Sequence, residues 1–448
     1  MSYIPQSDSD QARMLQAMGL QSAEELFEQI PQELRDRAVL DLPRPLSEPE
    51  LARHIAKLSA SNCASDRLTC FAGGGIYDRF IPAIVSDVTR RPEFVTPYTP
   101  YQAEVSQGTL QAMFEYQTMV CELTGLPVAN ASLYDGATAL AEAVLMAAAI
   151  TGRNRAVISQ AVSPAARAAT RTACSASGVD IIEVGYCADT GRTDVEALGD
   201  LLDDELCCVA LQQPNYFGII EDMATAAQVA HSAEALFVAS VEPISLGLLQ
   251  PPGAYDADIV VGEGQPLGLP ISFGGPLLGL MACKQQYLRH MPGRLSGRTT
   301  DEQGRTGYCL TLQAREQHIR RDRATSNICT AQQLCALTAA VYMAAVGPEG
   351  LREVAQLSLD KTHYLRGRLT DAGLPVQSRF SGSFFGEFVV QADRPAEQLI
   401  EQLSQKGYLV GPAIGRDYPE LRDCLLLSAT EQRTRDEIDG LVAALADL

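Results

Sequence analysis

The chain of 448 residues has no tryptophan and only four lysines, Lys57, Lys284, Lys361 and Lys406, so arginine makes up 31 of its 35 basic residues. Arginine stays protonated at any physiological pH and cannot act as an imine-forming nucleophile, which restricts amine chemistry to those four positions. Its 12 cysteines include no C-x-x-C pair. Cys121, Cys174, Cys207, Cys208, Cys309 and Cys335 lie in apolar runs, as reduced buried thiols do, and no disulfide framework is expected. The five histidines show no H-E-x-x-H or other paired spacing, and no metal site is expected. No uninterrupted apolar run reaches the roughly 18 residues that span a bilayer. The start, MSYIPQSDSDQARMLQ, has neither the basic n-region nor the apolar h-region of a signal peptide, and it is acidic where a transit peptide is basic. These absences predict a cytoplasmic protein. The formal net charge of −20 argues against a nucleic-acid or anionic-membrane partner, whose binding needs clustered Lys and Arg.

What is there is a globular composition, 46% hydrophobic and 20% charged. Residues 1–64 read as helices with polar connections; SDSDQARMLQAMGL carries a Ser/Asp cap and SAEELFEQI a capping box. From 65 to 325 short apolar runs alternate with helical segments. The runs RAVISQAV, DIIEVG, CCVALQQP, ALFVASV, DIVVGEG and LLGLMACK are predicted strands, with helices such as SPAARAATRTACSASG and EDMATAAQVAHSAEA between them. This alternation predicts an α/β domain with a mainly parallel sheet, helices on both faces, and ligands beyond the carboxyl ends of the strands. Residues 326–448, which include the predicted helix TAQQLCALTAAVYMAAVG, read as a smaller α+β domain.

Several stretches carry candidate chemistry. SLYDGATALAEAVLMAAAITG enters a helix through Ser132, Asp135, Gly136 and Ala137; the small residues suit close approach of an anion to helix N–H groups, and capping by Ser132 or Asp135 explains them equally well. In ALFVASVEPISLG, Glu242 follows a buried strand, where a carboxylate either pairs with a pyridinium nitrogen or is an ordinary strand-end residue. The triple glycine Gly73–Gly75 does not fit the dinucleotide fingerprint and reads as a tight backbone approach at a subunit contact. The TPYTPYQAEVSQG stretch displays Thr96, Tyr98, Thr99 and Tyr101 between prolines, ready to touch a ligand or partner. Its basic counterpart, REQHIRRDRATSN, offers Arg315, His318 and Arg321. The loop GEGQPLGLPISFGGP lies between two predicted strands, and Gln265 occupies the place where one large class of enzymes keeps the lysine that holds pyridoxal phosphate (PLP).

Together, YTPYQAEVSQGTLQ, LTGLPVANASLYDGATALAEA, DADIVVGEGQ, SFGGPLLG and REQHIRRDRATSNICT resemble the P-protein family of the glycine cleavage system, glycine dehydrogenase (decarboxylating), and within it the alpha, or subunit 1, chains of the two-subunit form. The resemblance implies the fold-type I PLP-dependent transferase architecture, a large mainly parallel sheet domain with a smaller C-terminal α+β domain. It implies that a sister beta chain carries the lysine and PLP in an assembly of two alpha and two beta chains. The family reaction decarboxylates glycine and passes the aminomethyl group to the lipoyl arm of the H-protein. Gln265 is then expected of this subunit, which has no confident catalytic residue of its own. Thr96, Tyr98, Thr99, Tyr101, Arg315, His318 and Arg321 become candidates for lining an interfacial active site, and Ser132, Asp135, Gly136, Ala137, Glu242 and Gln265 outline a vestigial cofactor pocket. Two alternatives stay open: a stand-alone PLP enzyme using Lys284, and a structural or regulatory pseudoenzyme.

Overall fold

The computed structural model describes residues 5–38, 41–63, 67–324, 326–328 and 331–448. The chain forms two compact units, Met1–Cys63 and Ala64–Leu448. The expected boundary at 64/65 lies outside the described residues, and the one at 325/326 abuts Thr325, which is also outside them.

In the first unit the helices Asp8–Met18, Gln32–Arg37 and Glu48–Ser59 contain no buried residue. Ser7 with Asp10, Ser22 with Glu25 and Ser47 with Glu50 form capping boxes, so each polar connection ends in a side chain that satisfies free N–H groups.

The second unit is built on a seven-stranded sheet. In spatial order its strands are Val128–Ala129, Gly279–Cys283, Ile259–Glu263, Leu236–Val241, Leu206–Gln213, Arg155–Ser159 and Asp180–Val184. All six predicted strands are present. The five from Ile259–Glu263 to Asp180–Val184 are parallel, and Gly279–Cys283 runs antiparallel beside Ile259–Glu263. The alternation of side chains explains why these strands are apolar throughout. Val209, Leu211, Phe237, Ala239 and Val260 join the core on one face, and Cys208, Ala210, Val238, Ile259 and Val261 join the core on the other. Gly136–Thr151 and Pro164–Ser175 cover the second face, while Gln107–Thr124 and Met223–Ser232 cover the first.

The apolar helix predicted to end at Gly347 continues, after a break, to Asp371. Gly347 takes φ 65°, ψ 179°, and Pro348 opens the second helical segment, where its missing N–H costs nothing. An 18-residue window of this element reaches a mean hydropathy of 1.4, apolar enough for a membrane segment, yet half of that window is buried in the protein. Tyr342, Ala339 and Leu351 pack into the sheet core, which identifies it as a core helix.

Beyond it, Gln377–Ser378, Glu387–Gln391 and Cys424–Ser428 form a three-stranded antiparallel sheet. Ala396–Gln405 and Arg435–Ala446 pack on it through Leu399, Leu403, Ile438 and Leu441. Thr69–Cys70 pairs in parallel with Tyr408–Leu409, and Phe71 N–H and Gly73 N–H continue this pairing onto the carbonyls of Leu409 and Gly411 at 2.7 and 2.9 Å. This attachment brings residues 74–77 over the carboxyl ends of the large sheet.

Candidate functional site

The carboxyl ends of three parallel strands and the starts of two helices enclose a cavity of about 170 Å³. Gln212, Ser240, Glu242 and Glu263 come from the strand ends, Gly136, Ala137 and Ser163 from the helix starts, and Gly74 to Tyr77 from the covering loop. No lysine, arginine or histidine lines it among the described residues.

The first turn of Gly136–Thr151 shows how the cavity is set up. Asp135, rather than Ser132, caps the helix by accepting the Thr138 N–H at 2.7 Å. Ser132 is fully buried, and its Oγ has no hydrogen-bond partner. Gly136 donates its N–H to Glu263 Oε2 at 2.9 Å. A Cβ at Gly136 would lie 2.9 Å from both the backbone N and the Cβ of Glu263, so only glycine allows this approach. Glu263 Oε1 also accepts the N–H groups of Gln265 at 2.9 Å and Leu278 at 3.0 Å. The helix end, where free N–H groups favour an anion, therefore already holds a carboxylate from the protein itself. Burial drives the Glu263 carboxyl up to about 7 despite these three donors, and Asp135 adds repulsion.

Gln265 is completely buried and lies behind the covering loop. Its Oε1 accepts the Tyr77 N–H at 2.9 Å, and its Nε2 donates to the carbonyls of Tyr77 at 3.0 Å and Leu269 at 2.7 Å. Both N–H donors of this amide are used, so none is left over for a ligand carbonyl.

The same loop is held from the other side by Glu387, which accepts the Gly74 N–H at 2.7 Å and the Tyr77 hydroxyl at 2.7 Å. Burial raises this carboxyl too, to about 7. A side chain at Gly73 would collide with Glu387 Oε2, so the triple glycine makes an approach within this chain, where a subunit contact was expected. Glu242 is not an ordinary surface residue. Its carboxylate accepts the Ser245 and Ile244 N–H groups at 2.6 and 3.2 Å, and Arg79 approaches it at 3.5 Å. Arg79 in turn pairs with Glu431 at 2.8 Å and donates to Ser358 Oγ at 3.0 Å. Desolvation raises the Glu242 carboxyl while the Arg79 guanidinium opposes the rise.

The second group of predicted residues lies outside this cavity's lining. Tyr101 accepts from Arg294 at 3.1 Å, carries that guanidinium over its ring at 4.8 Å, and meets His318 edge-on at 5.4 Å. Arg315 is turned inward and donates to the carbonyls of Met291 and Gly293. His318 and Arg321 border a shallow depression with Asp322 and Asn327. Thr96 donates to the Pro92 carbonyl at 2.6 Å, and Thr99 is half-buried. Tyr98 is 89% exposed beside a groove that Phe94, Val95, Met113 and Leu334 also line.

Of the four lysines, none lines the cavity. Lys284 follows Cys283, which pairs with Ile259 at the amino end of the Ile259–Glu263 strand, and it is bound to Asp256 and Asp258 at 2.7 and 2.8 Å. It stands at the end of that strand opposite Glu263.

The residues present do not fit PLP as an imine-forming cofactor: the loop amide is consumed internally, the helix-end anion position is filled, and the lining has no cation.

The fold and the position of this cavity define a protein of the PLP-dependent fold-type I class. A sphingosine-1-phosphate lyase from Burkholderia pseudomallei superposes with a TM-score of 0.67 at 15% identity, covering 93% of this chain and 94% of that one. More specifically, the profile of the glycine cleavage system P-protein family matches residues 1–445, and the chain belongs to that family. A crystal structure of glycine decarboxylase (P-protein) of the glycine cleavage system, in inhibitor-bound form, matches with a TM-score of 0.92 at 43% identity over 100% of both chains. A probable glycine dehydrogenase (decarboxylating) subunit 1 from Moorella thermoacetica is 50% identical over 99% of each chain. Its counterpart from Anoxybacillus flavithermus is 47% identical over 99% of this chain and 98% of that one.

Glu263, Glu387, Tyr77 and Arg79 are site residues that sequence reasoning missed. Glu263 had a signal, an acidic residue at the end of a buried strand in DIVVGEG.

Proposed function

We propose that this chain is the PLP-free subunit of a glycine-decarboxylating P-protein, and that it completes the active site of a partner chain that carries PLP and its lysine. One observation carries the reading: Gln265, at the lysine position, is fully buried and bonded to Tyr77 and Leu269. The architecture of a cofactor enzyme is kept while the place for imine chemistry is part of the core. When bound to the partner, PLP supplies the electron sink for loss of CO2 from glycine; this chain's part is to shape and close the neighbouring surface. We assign the exposed Tyr98 and Val105, with Tyr101 and His318, to the surface that meets that partner. The aminomethyl group passes to the lipoyl arm of the H-protein. We place an assembly of two such chains with two partners in the reducing cytoplasm, where buried free thiols such as Cys174, Cys207, Cys208 and Cys283 persist.

The test is to mix the purified chain with PLP, alone and with its candidate partner and lipoylated H-protein, and to record the visible spectrum and glycine-dependent CO2 exchange. The expected result is no imine band in the isolated chain and turnover only in the mixture. A borohydride-reducible imine on the isolated chain, with activity, would overturn the proposal.

A further inference from the structure

We infer that the Glu263 carboxyl group occupies the place of an anion and closes this chain's own cavity to phosphate-bearing ligands, and that removing it reopens a phosphate site at the start of the Gly136–Thr151 helix. The inference deepens the reading above: it explains what became of the vestigial pocket.

A helix of this length presents free N–H groups at its start, and an anion there is stabilised by hydrogen bonding and by the helix dipole. In this protein the position is filled from within. The Gly136 N–H points at Glu263 Oε2, and the N–H groups of Gln265 and Leu278 converge on Oε1, all within 2.9–3.0 Å. Three backbone donors on one carboxylate make a cradle of the kind that a phosphate oxygen would otherwise use. The strand Ile259–Glu263 supplies the carboxylate, and the close approach at Gly136 lets the helix start rest directly on it. Charge points the same way. The lining has two carboxylates, Glu242 and Glu263, and no basic side chain among the described residues. Arg79 pairs with Glu242 at 3.5 Å and with Glu431 at 2.8 Å, so its charge is already used. A phosphate dianion entering the intact cavity would meet no basic side chain in the lining and find the Gly136 N–H already bonded to Glu263. Truncation at Glu263 frees the Gly136, Gln265 and Leu278 donors together.

Equilibrium dialysis of the full-length chain against labelled inorganic phosphate, repeated with pyridoxal 5′-phosphate, tests the inference. The wild type should show no saturable binding of either ligand. E263A should bind phosphate at least tenfold more tightly than the wild type, and E263A/A137D, which returns a carboxylate to the helix start, should lose that gain. E263S replaces E263A if the latter does not fold. Wild-type binding as tight as that of the variant overturns the inference, and so does a folded variant with no gain. If neither variant folds, millimolar binding by the wild type overturns it and a blank supports it. Partner dependence is read separately, from CO2 exchange and the spectrum of the unmutated chain, so either idea can fail alone.

Discussion

The side-chain amide of Gln265 and the backbone of Tyr77 hydrogen-bond to each other in both directions, N–H to Oε1 at 2.9 Å and Nε2 to carbonyl at 3.0 Å. Gln265 thus works as a strap, tying the loop over the sheet ends to the strand connection beneath it. A lysine here could not accept the Tyr77 N–H and would bury an ammonium against the neutral carbonyls of Tyr77 and Leu269. Q265K should therefore lower the unfolding free energy by about 3 kcal/mol, the sum of a lost buried acceptor and a desolvated charge. It should also give no imine absorbance with PLP. Urea unfolding and the visible spectrum check both halves, and a stable, coloured Q265K would show that the strap is dispensable.

Arg79 joins Glu431 and Glu242 in a buried triad, with side-chain exposures of 3%, 7% and 11%. Removing the guanidinium would strand two carboxylates away from water, so R79A should destabilise the chain by about 3–5 kcal/mol. R79A/E431Q should recover part of that loss, because one of the stranded charges goes with it. Chemical denaturation of the single and double variants decides the matter. A double variant no more stable than R79A would mean that lost packing, rather than stranded charge, sets the cost.

Two buried carboxyls make stability depend on pH in a direction opposite to the usual acidic side chain. Burial holds Glu263 and Glu387 at about 7 in the folded chain, above their ordinary 4.5. The folded state then binds more protons than the unfolded state between these values. The contribution of each group is complete below pH 4.5 and is lost as the pH rises through 7, on the order of 3 kcal/mol per group. E387Q keeps an acceptor for the Gly74 N–H but does not titrate. Its unfolding free energy should fall less steeply than that of the wild type between pH 5 and pH 8. Parallel curves would remove Glu387 from the account.

The strands were legible because a parallel strand buried on both faces reads as an apolar run between turns, as DIVVGEG and ALFVASV do. The two-residue strand Val128–Ala129 is too short to carry such a run and depends on a partner far along the chain, and the locally paired hairpin Ser296–Thr300/Thr306–Leu310 is too polar to show one. The helix beyond Gly347 was hidden because a Gly-Pro pair marks a helix end and, equally, a new helix start. At the site, Gln265 and Gly136 stood out by residue type and position. Glu387 did not, because its partner Gly74 is 313 residues away and nothing local marks a strand glutamate as buried. Glu263 meets Gly136 across 127 residues for the same reason. Polar groups buried by tertiary contacts have no periodicity to betray them.

Tyr98 and Tyr101 share one sequence motif but differ in what holds them, and this separates assembly from folding. Tyr101 is braced by Arg294 and His318, so Y101A leaves the buried Arg294 without its hydroxyl partner and should cost about 1–3 kcal/mol of stability. Tyr98 is 89% exposed and Val105 78%, so truncating either takes little surface out of the folded chain. Y98A and V105A should thus leave the unfolding free energy of the isolated chain nearly unchanged, within about 0.5 kcal/mol. If this surface meets a partner chain, Y98A should weaken its association about tenfold or more, since Tyr is among the usual anchors of such contacts, and V105A should weaken it less. Sedimentation of the mixed chains, alongside glycine-dependent CO2 exchange at saturating partner, distinguishes the outcomes. Weaker association with turnover restored at high partner concentration marks a purely assembling residue. Lower turnover that extra partner cannot restore places Tyr98 against the partner's chemistry. Unchanged association and turnover would move the interface to another face of the chain.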